Sequence, residues 1–128
     1  MCRTLVLRHD LPDGSHHFDW LLEPVGTDPA DPDARVLLCW RLPISPHEAV
    51  GSILAATRLP PHRLLYLDYE GPITGGRGCV KRVASGQAEI LADTPTRFAA
   101  RVELNGQSFS IEGVPTGPPE WIFRFDPA

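Results

Sequence analysis

One residue separates His17 from Asp19, with His9 and Asp10 upstream and His62 and Tyr66 downstream. On an extended strand, side chains i and i+2 leave the same face about 6–7 Å apart along the backbone. His17 and Asp19 can therefore converge on one small target, and an imidazole from a neighbouring strand would complete a two-histidine, one-carboxylate set. That set suits a borderline divalent ion (Mn²⁺, Fe²⁺ or Zn²⁺) and leaves positions open for water or substrate. His16 is the alternative to His17, but only His17 shares strand parity with Asp19. With His62 as a distal member, the same pattern would also serve a non-haem Fe(II) oxygenase. That chemistry usually comes in a longer jelly roll with a basic residue for its oxoacid cosubstrate.

Short strands must position these groups. Fourteen prolines and eleven glycines punctuate the chain closely and disfavour long helices. Strands are expected over 3–8, 18–24, 35–40, 64–69, 79–84, 88–91, 98–104, 108–112 and 121–125. Asn105-Gly106 is a strong hairpin signal because both residues tolerate positive φ; Ser85-Gly86 is a weaker one. Ser45-Pro46-His47-Glu48 is the one good helix start, with a cap, a proline in the first turn and a capping-box glutamate. It introduces a short helix over 49–57 that Pro60 and Pro61 stop. Segment 26–34 reads as an exposed loop. The sum is a mainly β protein: a small antiparallel β-barrel with one short helix, in a single domain over 1–128.

Parity then groups Leu5, Leu7 and His9 on one strand face and His17, Asp19, Leu21 and Glu23 on another. Over 64–69 the even positions, with His62, Leu64, Tyr66, Asp68 and Glu70, oppose Leu65, Leu67 and Tyr69. Simple solvation accounts equally well for Asp68 and Glu70.

A net charge of −4 gives no global attraction to nucleic acid or anionic membrane, so any nucleic-acid contact must be local. Cys2, Cys39 and Cys79 are odd in number and widely spaced, which fits a reducing compartment. The apolar run near the N-terminus is too short for a signal peptide, and no segment is long enough for a membrane span. The expectation is a soluble, cytoplasmic protein.

These residues carry a resemblance. His9-Asp10, His17-Phe18-Asp19-Trp20-Leu21-Leu22-Glu23, Trp40-Arg41-Leu42-Pro43, the run from His62 to Gly71 and Gly75-Gly76-Arg77-Gly78 resemble the 3′-phosphoesterase domain of bacterial DNA ligase D. The spacing from His62 to Gly71 matches that family's third block residue for residue, and the likeness covers Leu5 to about Val80. The chain reads as a stand-alone, divergent member. The resemblance implies a β-barrel with a Mn²⁺-holding crevice (Zn²⁺ or Fe²⁺ being alternatives) that removes a 3′-ribonucleoside or 3′-phosphate in DNA end repair by non-homologous end joining. It implies His9, His17 and Asp19 as metal ligands, and His62 and Tyr66 as catalytic groups at the scissile phosphate. Its implied partners are nucleic-acid 3′ ends and a separate ligase or end-joining protein.

Departures from the family pattern carry weight too. Leu21 stands where the family has arginine, Ile44 where it has lysine and Leu7 where it has glutamine. Losing both cations removes anion-stabilising groups, so cleavage should be weak or absent. The rival reading is a catalytically weak end-binding or interaction module on the same fold. Arg41, Arg58, Arg63 and Arg77 are the cations that could substitute in space.

Other features have plainer explanations. The Gly75–Gly78 stretch fits a tight turn better than a phosphate cradle. Arg77, Lys81 and Arg82 form the one basic cluster, most simply a solvated hairpin. Cys39 and Cys79 read as packing residues, and Trp20, Trp40 and Trp121 as core anchors rather than base-stacking platforms. His47 falls in the first turn of the expected helix and reads as a surface residue.

Overall fold

Strand alternation and tight turns give a barrel in the computed structural model, which describes residues 1–27 and 30–128. Its strands are β1 (Cys2–Asp10), β2 (His16–Leu22), β3 (Arg35–Leu42), β4 (Ile53–Arg63), β5 (Gly71–Pro72), β6 (Cys79–Thr94), β7 (Arg97–Leu104), β8 (Gln107–Gly117) and β9 (Glu120–Pro127). The hydrogen-bonded order β1-β2-β3-β4-β9-β8-β7-β6 returns from β6 to β1, closing eight antiparallel strands and removing every long free edge. The two-residue β5 adds onto β6. The loop expected over 26–34 includes Asp28 and Pro29, which lie outside the described residues.

Alternation sorts the side chains into two apolar layers. Val6, Trp20, Leu22, Trp40, Phe98, Phe109, Phe123 and Phe125 fill the barrel. All three tryptophans are buried, Trp20 and Trp40 against Phe98 and Phe123, so they are core anchors. The opposite parity of β1, β2 and β3 supplies a second layer on the outer wall: Leu5, Leu7, Leu21, Leu37 and Cys39, capped by Leu64, Leu67 and Val80. His9, His17 and Asp19 have this outer parity.

Two expected elements are replaced. The helix over 49–57 is absent; a 3₁₀ turn at Pro46–Glu48 ends at Ala49, and residues 53–57 pair with β9. Ser45 makes no side-chain cap bond to the backbone, its hydroxyl lying 2.8 Å from His47 Nδ1 instead, and Gly51 at φ 89° turns the chain away. Pairing with the aromatic strand β9 outweighs a short local helix signal. Likewise the strand over 64–69 is a 3₁₀ turn, Leu64–Leu67. That geometry places i and i+3 on one side, so Leu64 and Leu67 are the buried pair.

Gly86 lies inside the continuous strand β6 rather than in a turn. A Cβ there would come within 1.8 Å of the Glu103 carbonyl oxygen, so the residue serves close strand approach. Asn105-Gly106 does form the turn between β7 and β8, at φ 51° and 82°.

Candidate metal centre

The β1–β2 hairpin builds the first half of the site. Its loop closes through Leu11 N–H to the Ser15 carbonyl at 2.8 Å. Both the hydroxyl and the amide of Ser15 donate to Asp13, holding that carboxyl below its ordinary range. The resulting register sets His9 directly opposite His17. His9 Nδ1 lies 3.1 Å from His17 Nε2, which lies 3.4 Å from Asp19 Oδ1. Ligand atoms of all three fall within 4.8 Å of one another, so the group could hold a metal ion. His16, with opposite parity, is exposed beside Arg8.

Asp19 is buried, and its Oδ1 has no hydrogen-bond partner. Leaving a buried carboxylate oxygen without donors is costly unless a cation compensates it. Arg41, its cross-strand neighbour, approaches only to 3.7 Å. A divalent ion fits this donor set: two imidazole nitrogens about 3 Å apart match two bonds of about 2.1 Å at roughly a right angle.

His9 is oriented from behind. Its Nε2 donates to the Arg77 carbonyl at 2.7 Å, which leaves the Nδ1 lone pair directed at His17 and Asp19. The Gly75–Gly78 turn delivers that carbonyl, closing with Ile73 N–H to the Gly78 carbonyl at 2.8 Å. Gly78 has φ 92°, and a Cβ on it would lie 1.9 Å from the Asp10 carbonyl oxygen. Only glycine lets this turn press against the end of β1. In the sequence the glycines signal a turn; that Arg77 supplies a backbone acceptor to a histidine has no sequence signature.

The other half comes from β4 and the second 3₁₀ turn. His62 lies near the end of β4 opposite Leu37 of β3, and Tyr66 follows in the turn, their rings 6.0 Å apart. The two are neighbours through this turn, not through the parity of a strand over 64–69. Both line one crevice with His9 and Asp19, of about 410 Å³. His62 Nδ1 donates to the Pro60 carbonyl at 3.1 Å, and Nε2 is 3.7 Å from Cys39 Sγ. Burial pushes the Cys39 thiol well above its ordinary pKa, and the nearby Asp19 carboxylate adds to the push.

The crevice also carries four arginines. Arg35, Arg41, Arg63 and Arg77 line it. Arg58 does not: it packs over the Trp40 ring and pairs with Asp93, beside a separate recess formed with Pro118, Pro119 and Trp121. Leu21 shares the parity of His17 and Asp19 but is fully buried in the second layer, and Ile44 packs against the barrel core. Neither position lines the crevice, whose arginines come from other positions. Arg35 is the one the sequence alone did not single out.

The chain matches no protein-family model and no curated protein. The functional reading rests on this site.

Proposed function

We propose that the crevice is the active site of a metal-dependent phosphoesterase acting on 3′ ends of nucleic acid, a 3′-phosphate or a 3′-ribonucleotide. The observation that carries this is the buried Asp19, with an unpartnered oxygen, set between His9 and His17 and the His62–Tyr66 pair in an arginine-lined crevice. His9, His17 and Asp19 would hold the ion, by the resemblance Mn²⁺. Once bound, it would polarise a phosphoryl oxygen and lower the pKa of a coordinated water.

The chain's own groups do the rest. The Arg77 carbonyl fixes the His9 tautomer, so the ring presents a lone pair without rearrangement. The Pro60 carbonyl does the same for His62, turning Nε2 inward, where its protonated form can donate to the leaving oxygen. Tyr66 beside it would orient the phosphate, and Arg35, Arg41, Arg63 and Arg77 would offset its charge.

A duplex ending in a 3′-phosphate, incubated with the protein and Mn²⁺, tests this reading. Conversion to a 3′-hydroxyl that needs both the ion and His62 supports it. A protein that binds the end and leaves the phosphate intact favours the end-binding module instead.

A further inference from the structure

A second group of donors joins two crevice residues, Asp19 and His62, to the buried Cys39. Asp19, Cys39 and His62 each offer one ligand atom, and these lie within 4.8 Å of one another. Cys39 is fully buried on the outer face of β3, two residues from Arg41. Its sulfur has the His62 Nε2 at 3.7 Å. Two bonds of about 2.3 Å to sulfur and about 2.0 Å to nitrogen, at a tetrahedral angle, span about 3.5 Å. His62 is already oriented for this, because its Nδ1–H is engaged by the Pro60 carbonyl. Asp19 Oδ1 is buried and has no hydrogen-bond partner, and one Asp19 carboxylate oxygen lies within 4.8 Å of the Cys39 sulfur and a His62 nitrogen.

We propose that Asp19, Cys39 and His62 form a second metal position, selective for a soft tetrahedral ion such as Zn²⁺. A thiolate ligand separates it chemically from the imidazole–carboxylate set of His9 and His17, which favours harder ions. Binding replaces the thiol proton, which passes to solvent, with a metal–sulfur bond. His62 Nε2 serves either this ion or the phosphate proposed above, so the two exclude each other. The metal position itself does not depend on any phosphoesterase activity.

Co²⁺ is the probe, titrated into the full chain and followed by absorption. The expected result is a thiolate-to-Co²⁺ charge-transfer band with tetrahedral d–d bands, displaced by Zn²⁺. Cys39→Ser should abolish the charge-transfer band, and Cys79→Ser should leave it intact. Because Cys39 is buried, His62→Gln at the crevice wall provides a second variant; it should weaken Zn²⁺ at this position more than about 10-fold with the thiol still present. His17→Ala should leave the band in place, which separates this position from the first one. No thiolate band in the wild-type protein, or a band that survives both Cys39→Ser and His62→Gln, would overturn the proposal and leave Cys39 and His62 a simple S–H···N pair.

Discussion

At the scale of single residues, the site depends on histidines whose tautomers are set by backbone carbonyls. Gly78→Ala tests that dependence without touching a ligand. The new Cβ would collide with the Asp10 carbonyl in a left-handed conformation, so the turn must shift and carry the Arg77 carbonyl away from His9. Losing an orienting partner typically costs about 10–100-fold in metal affinity, and the backbone strain about 1–3 kcal/mol. Titration calorimetry with Mn²⁺ should show the affinity loss in a protein that remains folded; unchanged affinity would show that the Arg77 carbonyl does not orient His9.

Leu21 yields an instructive correction at the same scale. Strand parity places it beside His17 and Asp19, which suggests that an arginine there would strengthen phosphate binding. Full burial among Leu5, Leu37 and Cys39 reverses that expectation. Leu21→Arg should cost several kcal/mol, because the guanidinium would be desolvated in an apolar layer. A urea midpoint close to wild type would mean the second layer opens readily to water. Parity tells which face a residue takes; only the covering segment tells whether that face is wet.

Elements make the same point. The barrel was legible because short strand-like runs recur between turn signals, alternation is clean in β8 and β9, and Asn105-Gly106 marks one of the hairpins. His9, His17 and Asp19 could be grouped because parity puts each on one face of its strand and the family block joins them; their register comes from the loop between β1 and β2. The 3₁₀ turn Leu64–Leu67 was not legible: the unbroken apolar run Leu-Leu-Tyr-Leu looks like a buried strand, and its packing partners lie on β1 to β3. That turn also roofs the second layer and carries Tyr66 to the crevice. Leu67→Ala should therefore destabilise the protein by about 2–4 kcal/mol. It should also loosen the His62–Tyr66 wall, seen as faster amide exchange at residues 62–67 than in the barrel strands. Uniform exchange changes across the barrel would instead make Leu67 an ordinary core residue.

Over the whole molecule, a net charge of −4 coexists with four arginines around one crevice. Long-range attraction to nucleic acid should be weak, and the contact confined to a few phosphates at an end. Binding of a short single-stranded 3′ end should then fall with salt at a slope no steeper than about −3 in log–log form, about −0.7 for each of four phosphates. A much steeper slope would indicate a broad basic surface that the described residues do not present. No helix among them is long and apolar enough to cross a membrane.

The central claim is that Asp19, flanked by His9 and His17, holds an ion that works on a 3′-phosphate. Its most direct test is end-group analysis of a 3′-phosphorylated duplex treated with metal-loaded wild type and with Asp19→Asn, a near-isosteric change that removes the carboxylate charge. The account predicts Mn²⁺-dependent appearance of a 3′-hydroxyl with the wild type, reduced at least about 100-fold in the variant. Release that persists undiminished in Asp19→Asn, or no release by wild type with Mn²⁺, Fe²⁺ or Zn²⁺, would contradict it.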